Sequence, residues 1–154
     1  MRPSRASVFG LAGIVGLSMA GVACENVNKL SELTGPTRDL APTFSTIQRD
    51  IFLSGDSTGR GACVSCHTNQ GHAPAGGLNL SGNAYSELVN APSRRKPGAT
   101  HVIPGDPDNS YLIQKLEGAP GIVGLRMPRN GPPFLTDGQV QIIRRWIQLG
   151  AKNE

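Results

Sequence analysis

Aromatic side chains are scarce in this 154-residue chain, at 5%, whereas Gly (20) and Pro (12) are plentiful. The length suits one domain plus a segment outside it. The composition predicts a small core among loops, which is marginal unless a metal, a crosslink or a bound apolar group adds to it. An excess of one charge is also missing. The net charge is only +4, and Arg2 and Arg5 belong to the N-terminal segment treated next, so the remainder is near balance. With no basic stripe carrying interleaved aromatics, nucleic-acid binding is not expected. No Ser/His/Asp arrangement, phosphate-binding glycine loop or paired-carboxylate motif stands out, which argues against an enzyme built on those chemistries. No strand is expected either, because Val102-Ile103 is too short and is bounded by Pro104-Gly105.

The chain also lacks an apolar run of the roughly 20 residues that a comfortable membrane span needs. The run from Val8 to Ala23 has 16. It follows Arg2 and Arg5 and ends in small residues, the pattern of an export signal over residues 1–23. The ending Gly21-Val22-Ala23-Cys24 resembles a bacterial lipobox, with Gly21 where such motifs usually carry Leu. Cleavage there would leave Cys24 as a lipidated N-terminus, and the same small residues would suit an ordinary signal peptidase. The expectation is a periplasmic or cell-surface protein anchored to a membrane through lipid on Cys24, with plain secretion as the alternative. Residues 24–42 are polar, contain Pro36 and Pro42, and read as a flexible tether. Residues 43–154 are then the domain.

Only three cysteines are present. Cys24 is accounted for by the export signal, and the other two form Cys63-Val64-Ser65-Cys66-His67. C-x-x-C-H is the attachment sequence of c-type haem. Two thiols three positions apart can add to the two vinyl groups on one edge of haem, and the adjoining imidazole can reach the iron. A thioredoxin-like motif would need a βαβ setting, which the sequence does not offer. A closed zinc site would need four ligands, and there is no second Cys pair. A plain disulfide is the remaining alternative for an exported chain. The motif therefore predicts one covalently attached haem c, held by Cys63, Cys66 and His67.

Iron in an electron carrier usually takes a sixth ligand. Met1 and Met19 fall in the export signal, leaving Met127, His72 and His101. Met127 lies in Leu125-Arg126-Met127-Pro128, a loop-like stretch with a Pro neighbour, and is the first candidate. His101 is its main competitor. His72 is only five residues from His67 and is expected to be a solvated loop residue. A Met ligand predicts a higher reduction potential than a second His would give.

Apolar spacing predicts helices. Phe44, Ile47 and Ile51 mark one over residues 43–53, with Thr43 as cap and Phe52 beside them. Shorter helices are expected over 83–90 and over 108–117, the latter capped by Asp108 or Asn109. The last helix is the clearest. Thr136-Asp137-Gly138-Gln139 is a capping-box sequence, Val140, Ile143, Trp146 and Ile147 line one face, Ile142 and Leu149 widen it, and Gly150 terminates it.

A C-x-x-C-H after a first helix, a Met-Pro loop about 60 residues later and a final amphipathic helix with an aromatic resemble the class I cytochrome c family. Gly76-Gly77-Leu78-Asn79-Leu80, Pro104-Gly105-Asp106-Pro107 and the ending from Arg144 to Ala151 resemble cytochrome domains common in planctomycetes. The likeness covers residues 43–151. It implies an all-α, cytochrome c-like small helical domain wrapped around one haem, with first and last helices crossing and Phe52 meeting Trp146 there. It also implies a backbone carbonyl that orients the proximal imidazole, for which Pro74 is the candidate. The function implied is one-electron transfer between redox protein partners. The alternative is a haem enzyme or gas-binding protein with an open sixth position, which His101 could serve. Arg94-Arg95-Lys96 is a solvated loop or, in the functional reading, a docking patch for an acidic partner.

Overall fold

The computed structural model describes residues 40–154. The export signal, Cys24 and the tether as far as residue 39 lie outside the described residues. Packing begins ahead of the expected boundary at residue 43. Leu40 is buried in the core, and the Thr46 hydroxyl donates to the Ala41 carbonyl (2.6 Å).

The first helix, α1 (Phe44–Ile47), starts where Thr43 accepts from the Thr46 amide. It runs on as a π turn over Gln48–Phe52, closed by Leu53 N–H to the Gln48 carbonyl (2.9 Å). The wide turn was not expected. It lets the neighbours Ile51 and Phe52 both face inward, where they are buried with Phe44 and Ile47.

Helix α2 (Ala84–Leu88) is capped by Asn83. It ends two residues short of the expected limit, because Val89 and Asn90 turn away to pair with Val102. Val89 forms a single parallel bridge to Val102, and Asn90 N–H donates to the Val102 carbonyl (2.9 Å) with φ at 56°. Among the described residues such pairings are isolated bridges.

Helix α3 (Tyr111–Glu117) is shorter at its start than the expected 108–117, and its N-cap residue is Ser110 rather than Asp108 or Asn109. The Ser110 hydroxyl is engaged elsewhere, donating to the Asp106 carbonyl (2.7 Å) and accepting from Ile103 N–H (2.9 Å). Asp106 takes the Asn109 amide instead, at 3.1 Å.

Helix α4 (Asp137–Gln148) carries the full capping box between Thr136 and Gln139. Its inner face is Val140, Ile143, Trp146 and Ile147, all buried. Leu149 departs from expectation. It lies past the helix end and is 49% exposed. Gly150, at φ 98°, turns the chain so that Ala151 N–H reaches the Trp146 carbonyl (2.9 Å).

The ring that meets Trp146 is Phe44, not Phe52: their centroids are 5.5 Å apart, and Phe44 also stands edge-on to Tyr85 at 5.2 Å. Phe52 belongs to the same core cluster. Helices α3 and α4 pack together, and Arg144 on α4 bridges Asp108 and Glu117 at 2.7 and 2.8 Å. Such exposed pairs contribute about 0–1 kcal/mol each. Burying one Ile or Phe contributes about 1.5–3 kcal/mol, so the core dominates this contact. Among the described residues no helix is long and apolar enough to cross a membrane.

Candidate functional site

The C-x-x-C-H motif begins as a 3₁₀ turn over Cys63–Ser65. Cys66 and His67 amides both donate to the Cys63 carbonyl, at 3.2 and 3.0 Å. The two thiols and the imidazole are thus presented from one turn. Both thiols are free, so the disulfide alternative is not formed. The three side chains do not converge as a metal-ion site, and among the described residues no group of three His, Cys, Asp or Glu does.

The turn is anchored from the N-terminal side by a charge that the sequence reading overlooked. Arg60 is buried, its side chain fully so, and its Nε donates to Asp56 Oδ2 at 2.9 Å. Its other nitrogens donate to the carbonyls of Ile51 (3.3 Å), Gly61 (3.1 Å) and Ser54 (3.2 Å). A carbonyl at a helix end has no partner within the helix, and here the guanidinium supplies one. Burial would lift the Asp56 carboxyl, but bonds from Thr58 and Arg60 outweigh it and hold its pKa below 3.8. Gly55 is required beside this network, since a Cβ there would lie 2.7 Å from the Arg60 carbonyl oxygen.

Cys63 is half-buried, and its Sγ donates to the same Ile51 carbonyl at 3.5 Å. Burial pushes its thiol up to about 11, against a smaller opposing pull from the Arg60 charge. It is therefore held as S–H. Cys66 is exposed.

On the C-terminal side, residues 75–80 fold back along the motif. Ala75 N–H donates to the Cys66 carbonyl (2.9 Å) and Leu80 N–H to the His67 carbonyl (2.8 Å). This return places the Leu78 carbonyl 3.3 Å from His67 Nδ1. With its proton on Nδ1 the imidazole donates there and keeps the Nε2 lone pair for a ligand. The orienting carbonyl is thus that of Leu78, not one at Pro74, whose carbonyl accepts from Gly77 N–H (2.9 Å). The tight turn Ala75–Gly77, with Gly76 and Gly77 at φ 65° and 75°, carries the chain past Pro74 and brings Leu78 into place. Burial lowers the His67 pKa below 6.5, the Leu78 and Ala75 carbonyls oppose this, and the Lys115 charge adds to it.

Met127 is half-buried and packs against the core. Its amide donates to the Lys115 carbonyl on α3 (2.8 Å). His101 is half-buried beside Tyr111, ring centroids 6.4 Å apart. Its pKa is lowered by burial, raised by Glu87 and lowered again by His67. His72 is exposed, with Nδ1 3.0 Å from the carbonyl of its neighbour Ala73. Arg94 and Arg95 are exposed and lie over Gly77 and Gly76, where a Cβ would meet their stems at 2.7 and 3.4 Å. Lys96 Nζ stands 5.0 Å from the Tyr111 ring centroid. A separate hollow of about 310 Å³ is lined by Glu117, Arg126, Asp137, Val140 and Gln141, and holds none of the candidate ligands. Cys24 lies outside the described residues.

No protein-family model, curated protein or solved structure matches this chain.

The sequence reading missed Arg60, Lys115 and the Leu78 carbonyl. The first two lie in no motif. The third has no side-chain signal, and only the paired Gly76-Gly77, which permits the turn, hinted at a chain reversal there.

Proposed function

We propose that this protein is an exported monohaem c-type cytochrome, a one-electron carrier of the periplasm or cell surface, with an all-α domain of the cytochrome c kind. Cys63 and Cys66 would hold haem c through thioether bonds, with His67 as one axial ligand and Met127 as the other. The bound group supplies a one-electron iron couple. Lipid on Cys24 would tether the domain to a membrane, and its partners would be redox proteins rather than nucleic acid.

The observation that carries this reading is the single turn that offers two unjoined thiols together with an imidazole whose Nδ1 faces the Leu78 carbonyl. With the ring proton on Nδ1, that arrangement would leave Nε2 free to bind a metal. Thiols and imidazole that do not converge suit a group with separate attachment points for carbon and for iron, and do not suit a zinc ion. Arg60 would keep the Ile51 carbonyl bonded if the Cys63 S–H were consumed in forming a thioether. Burial lowers the His67 pKa and so favours the neutral ring that a ligand needs.

A second reading, a haem enzyme with an open sixth position, draws on His101, which is half-buried beside Tyr111. One experiment separates the two. The full chain is expressed with the c-type maturation machinery, and its visible and near-infrared spectra are taken in both redox states, with carbon monoxide added to the reduced form. The carrier reading expects covalent haem, six-coordinate iron, the weak ferric methionine-to-iron band and no carbon monoxide shift. Rapid carbon monoxide binding selects the enzyme reading. Absence of covalent haem rejects both.

A further inference from the structure

Helix α3 makes an unusual set of contacts with the segment that follows it. The chain leaves α3 through Gly118 in the left-handed conformation (φ 72°) and returns alongside the helix as residues 119–127. The returning segment has almost no core of its own: Val123 and Leu125 are 44% and 61% exposed. Its attachment to α3 is polar. Val123 N–H donates to the Tyr111 hydroxyl (2.9 Å), and Arg126 Nε donates to the Leu116 carbonyl (2.7 Å).

Lys115 stands at the centre of this attachment. Its Nζ donates to the Val123 carbonyl (3.0 Å) and to the Leu125 carbonyl, and its own carbonyl accepts from Met127 N–H (2.8 Å). One residue thus fixes three alternate positions, 123, 125 and 127. Hydrogen bonds from a charged donor are stronger than neutral ones, so the Lys115 ammonium, together with Arg126, restrains an otherwise exposed stretch. Lys115 is also only half-exposed.

We infer that Lys115 is a positioning residue for Met127: its ammonium and its carbonyl together pin residues 123–127 so that the Met127 thioether is held in place as a ligand. The inference rests on the haem reading for what Met127 binds, but the pinning itself belongs to the polypeptide. An arginine at the same position retains a charged, multiply donating head that can reach two carbonyls. A methionine retains the length and loses every donor.

The test compares wild type, K115M and K115R, each as the full chain matured with haem. Two quantities are read: amide hydrogen exchange over residues 119–127, with α4 as internal reference, and the ferric methionine-to-iron band. K115M is expected to raise exchange over 119–127 by about tenfold or more with α4 unchanged, and to weaken or abolish the band. K115R is expected to restore both toward wild type. Wild-type exchange and an intact band in K115M would overturn the inference, as would equal losses in K115M and K115R. If wild type carries no haem, the haem reading fails by itself. The exchange comparison then decides the clamp alone, a selective rise supporting it and no change rejecting it. Should K115M fail to accumulate, K115Q, which keeps donors but shortens their reach and removes the charge, takes its place under the same criteria.

Discussion

The thiol side and the methionine side of the candidate site are secured by opposite means. Ahead of Cys63 a fully buried guanidinium binds a carboxylate and three backbone carbonyls. Ahead of Met127 a half-exposed ammonium binds two carbonyls of a segment whose apolar residues face water. A buried ion pair contributes little net stability beyond what apolar packing could give, yet breaking it leaves an uncompensated charge. A surface clamp can open at small cost and close again. The difference matches the two chemical roles proposed. Thioether bonds are formed once, and their thiols need a fixed geometry. An axial thioether is held by coordination, and its loop needs only enough restraint to favour the bound position.

The largest predicted effect tests the buried side. Arg60→Met should lower the unfolding free energy of the full chain by about 3–5 kcal/mol, read by urea titration, because Asp56 and the carbonyls of Ile51 and Ser54 lose their partner. A cost below about 1 kcal/mol would place Arg60 on a par with an exposed pair and erase the contrast.

A smaller loss is expected from Gly77→Ala. At φ 75° an L side chain is strained, and the new Cβ would lie 2.7 Å from Arg94 Cδ. Arg94 is flexible and can move, so the cost is the backbone term, about 1–2 kcal/mol. The chemical-shift change should centre on Leu78 and His67, read by amide NMR.

Acid titration sharpens the comparison further. The folded pKa of Asp56 lies below 3.8, so its contribution is present above that value and is lost as pH falls through the lower, folded pKa. Wild type should therefore exceed Asp56→Asn in stability at about pH 6, with the gap narrowing progressively as pH falls below 3.8. A gap that does not narrow would show that the carboxylate charge is not what Arg60 requires.

On the methionine side the effects are smaller and local. Tyr111→Phe removes the acceptor for Val123 N–H and should cost about 1 kcal/mol, seen as faster exchange at Val123 with the core unaffected. Leu125→Ser should change global stability by less than about 0.5 kcal/mol, since Leu125 is mostly exposed. A large loss there would mean that this loop is covered in the working protein.

Sequence periodicity found the helices because their buried faces are regular. Phe44, Ile47 and Ile51, or Val140, Ile143 and Ile147, announce a stripe, and Thr136 with Gln139 announces a start. What it missed has a common cause. The π turn depends on two adjacent apolar residues, Ile51 and Phe52, both being buried, which spacing rules treat as noise. The Ser110 cap competes with Asn109 and Asp108, one and two positions before it, and tertiary bonds to Ile103 and Asp106 decide among them. The C-x-x-C-H motif is legible because its chemistry is local. The groups that hold it are backbone carbonyls and long charged side chains, whose partners are set by the fold. Arg60 and Lys115 look alike in sequence and differ in burial, and that difference separates the two sides of the site.

The shared acceptor at Ile51 makes the site self-reporting. One carbonyl oxygen receives the Arg60 guanidinium and the Cys63 S–H together. If the proposed thioether forms, the sulfur proton is lost and this carbonyl's stretching frequency should rise, with the arginine bond remaining. Carbon-13 at this one carbonyl would separate its infrared band from the rest of the backbone, giving an optical gauge of how far attachment has gone in any preparation.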